Sequence, residues 1–555
     1  MSEGEVPVVI IGGGPVGLAS ALFLRRLGVD CVLLERRPTT SPLTRATGVH
    51  ARSMELFRNA GVEQPIRDAG LALVPPDQAA EPAARRRTMP RIALRTRSLD
   101  ELGEAQIVEM GEQFAHDLSP AAPVWCGQDL LEPVLLDGAR RDGADIRFGH
   151  EALAVEQDPR GVTVTVADKQ ADTTYRMRAQ YVIAADGVYS PVRERLGVGR
   201  SGHGLQQRMI SMVFRADLSQ VVGDRRFMLT FVGNERFRGV VVCLDGQDRW
   251  MVWTGYPPDG DVDPADFDQE TCLGLVRAAI GRPDHPVELE GTFVWESTHL
   301  IADSFRTGRI FLAGDAAHTH PPHGSFGANA GVQDAHNLAW KLAARLRGQA
   351  GDGLLDTYEA ERRPVGAATA DQALLRERHR ATAHRQPGFR DFPVVILGYR
   401  YASRAVLGAE FGDEGPLPEK LRLAGEPGTR VPHVWLSDGG DRVSTVDLCT
   451  DDFVLLSAGG SGVWPAAAER VSRASGVTVR AYRVGEGADL TVAADPAGVM
   501  GDLLASGAAL VRPDGFVAWH AEASEDAERS LARVLATILD RPENELLPLP
   551  TDGNR

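Results

Sequence analysis

Lysine is almost missing from this chain. Only Lys169, Lys341 and Lys420 occur in 555 residues, and the other 57 of the 60 basic residues are arginine, a bias expected of a GC-rich genome rather than of function. Cysteine is scarce too. Cys31, Cys126, Cys243, Cys272 and Cys449 are scattered with no C-x-x-C, which argues against a disulfide framework or a cysteine zinc site and points to a reducing cytoplasm. No uninterrupted apolar run is long enough to span a bilayer. The stretch VPVVIIGGGPVGLASALFL near the start mimics a signal segment, but it lacks a basic flank and contains a glycine turn, so it reads as a first strand and helix. A net charge of −16 disfavours nucleic acid and anionic membrane surfaces as partners. There is no G-x-S-x-G, hence no serine-hydrolase elbow. His318, His320 and His323 flank two prolines without acidic neighbours at ligand spacing, so no metal is expected.

What is present begins at the apolar run VPVVII, which has the continuous character of a buried parallel strand. Gly12-Gly13-Gly14-Pro15-Val16-Gly17 follows, then the helical pattern LASALFLRRLG, then a second strand, CVLLE, ending at Glu35. Gly12 permits a tight turn, Gly14 lets a pyrophosphate approach backbone N–H groups, and Gly17 lets helix and strand pack closely. Glu35 stands where an acid accepts ribose hydroxyls, with Arg36 directly after it. An acid there disfavours a ribose 2′-phosphate, so the turn is expected to hold FAD or NAD rather than NADP. The acidic net charge does not forbid a pyrophosphate. Beyond a Debye length of about 8 Å it is screened, while a helix N-terminus in contact presents about half a positive charge.

Two later segments have the same strand-then-turn form. YVIAAD leads into Asp186-Gly187, which in isolation is simply a turn. RIFLAGDAAHTHPP places Asp315 at the end of a buried strand, where a carboxylate can accept hydrogen bonds from ribityl hydroxyls. The following PPHGSFGANAG opens a helix whose first N–H groups suit the edge of a flavin ring. Between these, residues 205–300 read as antiparallel strands, with Phe231, Phe237, Trp250, Trp253 and Tyr256 as candidates for either an aromatic pocket or core. Arg85, Arg86, Arg87, Arg91, Arg95 and Arg97 read as a solvated loop or edge strand rather than a nicotinamide-phosphate site. FGDEGPLPEKLRLAGEPGTRVP reads as a linker before a small α/β module.

IIGGGPVGL, DGVYSPVR and FLAGDAAHTHPPHGSFGANAGVQDAHNLAWKLA together resemble the class A flavoprotein monooxygenases of the para-hydroxybenzoate hydroxylase type. GLLDTYEAERRPV, PHVWLS, STVDL and LVRPDGFVAWH extend the likeness over essentially the whole chain, toward bacterial aromatic polyketide hydroxylases of the aklavinone and angucycline type. The resemblance implies an α/β plus α+β fold, a Rossmann-like FAD domain interleaved with an antiparallel-sheet substrate domain. The implied segments are 1–74, 126–200 and 301–410 for FAD, 75–125 and 201–300 for substrate, a 411–430 linker, and a thioredoxin-like domain over 431–555.

For individual residues it implies that Gly12, Gly14, Pro15, Gly17, Glu35 and Arg36 hold the ADP half of FAD. Arg45 lies near the flavin ring and pyrophosphate, Gln128 contacts the cofactor, and Asp186 and Gly187 belong to a motif linked to FAD and NADPH. Asp315 meets the ribityl chain, while Pro321 and the Gly327-Ala328-Asn329 backbone flank the isoalloxazine. Ser325 and Ala328 depart from the usual pattern of a glycine and a larger residue. The implied reaction uses NADPH or NADH and O2, and a C4a-hydroperoxyflavin hydroxylates a small-molecule aromatic substrate. A Baeyer–Villiger or ring-rearranging outcome, a flavin dehydrogenase and a non-catalytic FAD-fold binding protein are the rival readings. No side chain stands out as an acid or base, no C-x-x-C supports thiol chemistry in the last domain, and nothing chooses monomer from dimer.

Overall fold

The structure, a computed structural model, describes residues 5–74, 88–90, 92–108, 116–256, 267–460, 462–495, 498–521 and 526–547. Arg85, Arg86, Arg87 and Arg91 of the arginine-rich stretch lie outside the described residues.

The chain begins with the strand Val6–Ile11, which pairs in parallel with Cys31–Glu35 on one side and Thr173–Ala184 on the other. Asp145–Phe148 and Ile310–Leu312 extend this parallel sheet, and His150–Asp158 and Gly161–Asp168 add antiparallel strands at one edge. Val8, Val9, Ile10, Leu33, Val182 and Ile183 are completely or almost completely buried. A parallel strand covered on both faces has no solvent side, hence the unbroken apolar runs in the sequence. Helix Pro15–Arg26 starts with proline at its first position, where a missing N–H costs nothing, and Gly28 follows its end at φ +69°.

A second eight-stranded sheet is mostly antiparallel. Its long members are Arg200–Arg215 and Glu288–Ala302, followed by Arg249–Tyr256, Arg238–Cys243 and Leu229–Gly233. Ala93–Thr96 and then Gln106–Val108 complete one side, so Arg95 sits on the strand next to the edge rather than on an edge strand or loop, and His318–Thr319 closes the other side. Trp250 and Val252 pack in this sheet's own core with helix Gln269–Ile280.

After residue 430 the strands Phe453–Ala458 and Val479–Val484 run parallel, joined by helix Val463–Ser475, and Ala508–Val511 and Val517–His520 form an antiparallel pair beside them. Alternation decides where this sheet binds. Phe453 and Leu455 join the large core under helices Val463–Ser475 and Ala527–Leu539, while Val454 and Leu456 face a smaller core with Val431 and Leu436.

The turn between the last two strands, Arg512–Phe516, is inserted into the rest of the molecule. The Arg512 guanidinium reaches both oxygens of Glu361 at 2.6 and 2.8 Å, and its Nε donates to Asp514 at 3.0 Å. Lys341 Nζ donates to the same Glu361 at 2.7 Å, and Asp514 accepts from Trp340 Nε1 and Asn337. None of these four charged side chains is more than 1 % exposed. Arg52 also donates to the Asp514 carbonyl at 2.7 Å, and Phe516 stacks on Tyr401. Lys341, Asn337 and Trp340 all belong to helix Phe326–Leu346, whose other end borders the site described next.

Candidate functional site

One cavity of about 460 Å³ runs between the parallel sheet and the antiparallel one. It is large enough for a bound small molecule. Apart from Gly17 and Asn329, every cofactor-binding residue expected from the sequence lines it: Gly12, Gly14, Pro15, Glu35, Arg36, Arg45, Gln128, Asp186, Gly187, Asp315, Pro321, Gly327 and Ala328.

The glycine turn is fixed by contacts that no side chain could share. Gly12 has φ +107°, and a Cβ there would lie 2.2 Å from the Ala185 carbonyl oxygen. A Cβ on Gly17 would lie 1.9 Å from the Gly12 carbonyl oxygen, so Gly17 serves helix–strand packing rather than the cavity wall. Around Gly14 nothing lies within 4 Å of the Cβ position, leaving an open approach to the helix N-terminus. The Glu35 carboxylate is gripped from behind: Gly13 N donates to one oxygen at 2.6 Å and Arg37 N to the other at 2.9 Å. Both oxygens keep lone pairs for further donors.

Asp186 is pinned in the same way. Ser190 Oγ donates to it at 2.6 Å and Val192 N at 3.1 Å, so its carboxylate shapes the turn that Gly187 opens, while burial pushes its pKa up. The Arg193 guanidinium donates to the Ala316 carbonyl at 3.0 Å and to that of Val188 at 3.2 Å, tying the Asp-Gly turn to the Gly314–Ala317 segment. Asp315 is exposed on the cavity wall. Desolvation raises its carboxyl pKa, opposed by His318 and Arg45. Burial and Arg37 in turn lower the Arg45 guanidinium, which Asp315 favours.

Behind this wall Asp334 accepts from Gly314 N at 3.1 Å, His318 Nε2 at 2.6 Å and Arg362 Nε at 2.7 Å. Burial opposes its charge, but His318 and Arg362 outweigh burial and hold the carboxyl at about 2. Histidines 318 and 320 stack at 4.8 Å, and the second bonds the Gly366 carbonyl at 3.0 Å. Burial keeps it neutral by driving its pKa well below the ordinary value.

Three helix N-termini converge here, at Pro15, Gln128 and Phe326, a concentration of partial positive charge suited to a diphosphate and an electron-rich ring edge. Gln128 does not project freely. Its Nε2 donates to Glu132 at 2.6 Å, and Glu132 also accepts Ser41 N, docking the 41–47 loop onto the helix. Asn329 uses its side chain internally, accepting from His50 N and Ser53 Oγ and donating to the Gly48 and Ser325 carbonyls. Ser325, at the usual glycine position, adopts the left-handed φ of 53° that explains that preference.

The opposite wall comes from the antiparallel sheet: Met251, Trp253, Phe293 and Trp295, with Ser211 between them. Ser211 faces Trp253 on one neighbouring strand and Phe293 on the other, so the three form a row across the sheet. Trp295 Nε1 donates to Ser211 Oγ at 2.9 Å, which fixes the indole. Of the five aromatic residues considered for the pocket, only Trp253 lines it. Phe237, Trp250 and Tyr256 are buried and Phe231 packs on the second core, because both faces of this sheet are apolar. Phe293 and Trp295 lay in a strand whose alternation was visible but whose inward face was not. Glu132, Asp334 and Arg362 were also missed; only Glu132, four residues after Gln128 on one helix, had a local signal.

A parallel sheet with a glycine turn, an acid closing its second strand and a cavity reaching an aromatic-walled second sheet defines a dinucleotide-dependent enzyme of the flavoprotein kind. The FAD binding domain family matches residues 5–373, and the aromatic-ring hydroxylase C-terminal family matches residues 424–542. The chain is 46 % identical to the tetracenomycin A2 monooxygenase-dioxygenase of Streptomyces glaucescens, over 98 % of each chain. It is 39 % identical to aklavinone 12-hydroxylase RdmE of Streptomyces purpurascens, over 98 % of this chain and all of that one. The solved ternary complex of aklavinone-11 hydroxylase with FAD and aklavinone superposes with a TM-score of 0.87 at 38 % identity, covering 98 % of this chain and 100 % of that one. The chain belongs to the FAD-dependent aromatic-ring hydroxylases, and FAD is its cofactor.

Proposed function

We propose that this chain is a monooxygenase that uses NADPH or NADH and O2 to hydroxylate a flat polycyclic phenol or quinone of the polyketide type. The observation that carries the reading is one continuous cavity with a polar, cationic end and an aromatic end. The first is built from the glycine turn, Glu35, Arg36 and Arg45, the second from Trp253, Phe293 and Trp295. The names of the relatives, hydroxylases and monooxygenases of tetracenomycin and aklavinone, support the same substrate class.

When bound, FAD supplies acceptance of hydride from a nicotinamide and activation of dioxygen. The chain's own residues bind and orient. Backbone N–H groups at Gly14 and at the start of helix Pro15–Arg26 would hold the diphosphate, Glu35 the ribose and Asp315 the ribityl hydroxyls. The Gly327–Ala328 end of helix Phe326–Leu346 would lie toward the ring edge that becomes electron-rich on reduction. The aromatic row excludes water and holds the substrate plane. His320, beside Pro321 in the cavity wall, is kept neutral by burial.

We further infer that residues 431–555 form a thioredoxin-like module, supported by its strand–helix–strand unit followed by an antiparallel pair and a helix. Its one cysteine, Cys449, is buried with its thiol pushed up to about 12, so the module serves packing rather than thiol exchange. The test of substrate class is titration of the yellow holoprotein with polycyclic phenols, read by quenching of tryptophan fluorescence and by a shift in the flavin spectrum. Binding that perturbs both places the ligand between Trp253 and the flavin; ligands that perturb neither refute the class.

A further inference from the structure

Beside the main cavity lies a second void, about 20 Å³ in volume, at the point where four helices meet. It shares Pro15, Ala46, Gln128 and Ala328 with the cavity wall and runs inward to Val49, Phe57, Leu131 and Val332. Two features set it apart from a packing defect or a water site.

The first is that its polar neighbours offer little to a guest. Asn329 spends its amide on four partners, His50 N, Ser53 Oγ, and the carbonyls of Gly48 and Ser325. The Ser53 hydroxyl proton is directed to Asn329, and Gln128 Nε2 is directed to Glu132. The Cys126 thiol lies against the Gly127 carbonyl, and burial pushes its pKa up to about 12, so it is neutral. A buried water needs two to four polar partners, and a void of this size without them stays dry and accepts small apolar guests.

The second is location. Ala328 belongs to both walls, on the first turn of the helix that borders the flavin end of the cavity, and its single methyl is all that its side chain places between the two spaces.

We propose that this void is a holding site for dioxygen next to the flavin ring. Dioxygen is apolar, has the size of the space, and needs no hydrogen bond. The proposal rests on the oxygen-using reading given above. Because Val332 and Leu131 close the void from two different helices, either can be enlarged without touching the cofactor-facing wall.

The test combines xenon, an inert apolar probe, with oxygen kinetics of the holoenzyme. Crystals of the wild type under xenon pressure should show a xenon atom among Val49, Phe57, Leu131 and Val332. Val332→Phe should lack it. After chemical reduction, Val332→Phe should be reoxidised by dioxygen severalfold more slowly than the wild type, while its FAD affinity and its reduction by NADPH stay at wild-type values. Leu131→Phe should behave in the same way, and carries the test if Val332→Phe does not fold. Xenon absent from the wild-type void, or filled variants that reoxidise at the wild-type rate, would overturn the site while leaving the monooxygenase intact. A reduced wild type that reacts with dioxygen no faster than free FAD would remove the oxygen-using reading, and the dioxygen assignment with it, whatever xenon does.

Discussion

Replacing Arg512 with methionine removes one guanidinium from the centre of the Arg512–Phe516 turn and should unseat the C-terminal module. The side chain is fully buried and bonds both oxygens of Glu361 and the Asp514 carboxylate. At the surface such a pair would contribute about 1 kcal/mol or less. Here the loss leaves Asp514 with the neutral donors Asn337 and Trp340, and leaves Glu361 with the neutral donors Asn337 and Ser403 and one cation, Lys341, whose own pKa burial lowers to about 8. Uncompensated buried charge costs about 3–5 kcal/mol, a large part of the 5–15 kcal/mol that holds a typical protein folded. Urea unfolding followed by far-UV circular dichroism, tryptophan emission and flavin release should show the unfolding free energy falling by that amount, with a lower midpoint. Flavin release should come early, because Lys341, Asn337 and Trp340 ride on the helix that ends at Gly327 and Ala328. A triple variant that also converts Glu361 and Asp514 to apolar residues should recover part of the loss. A loss below about 1 kcal/mol, the range of an exposed pair, would refute the reasoning.

Asp315→Ala should weaken FAD binding by about 1.5–3 kcal/mol, roughly 10- to 150-fold, the value of a hydrogen bond to a charged group, in titrations of apoprotein with FAD. Wild-type affinity would remove Asp315 from the cofactor site. Trp253→Ala should raise the dissociation constant of the aromatic substrate by about 1.5–3 kcal/mol while leaving FAD affinity unchanged, as measured by equilibrium titration. Acid should act through Asp334. Its folded pKa of about 2 lies below the 3.8 of a free carboxyl, so its stabilising contribution is complete above pH 4 and is lost as pH falls toward 2. The amount is roughly 2 kcal/mol, and Asp334→Asn should flatten the stability profile over that window.

The parts of the site legible in the sequence are those set by local backbone geometry. The Gly12–Gly17 turn and Glu35 belong to one strand–helix–strand unit, and Gly12 and Gly17 are required by atoms 2.2 and 1.9 Å from their missing Cβ positions. Ser325 was recognisable as a departure only through the family resemblance, and its left-handed φ supplies the physical reason a glycine is usual there. The aromatic wall was not legible in the same way. Strand alternation separates Trp250 from Trp253, but one face packs on helix Gln269–Ile280 and the other lines the cavity, so both read as apolar. Arg512-Pro513-Asp514-Gly515 forms the turn between the last two strands. Its charges are buried because their partners sit more than a hundred residues earlier, a distance that no local pattern records. Asn329 was expected to flank the ring through its backbone, whereas its side chain is what locks the 48–53 segment to the helix.

The central claim is that one cavity brings a nicotinamide-reduced flavin, dioxygen and a polycyclic aromatic together. It is tested most directly by aerobic NADPH oxidation by the holoprotein across a panel of polycyclic phenols and quinones, with isotopically labelled dioxygen and mass analysis of the products. The account predicts that one member of the panel stimulates NADPH oxidation and gains a single labelled oxygen atom. A product whose new oxygen comes from water, or NADPH oxidation that no aromatic compound stimulates, would contradict it.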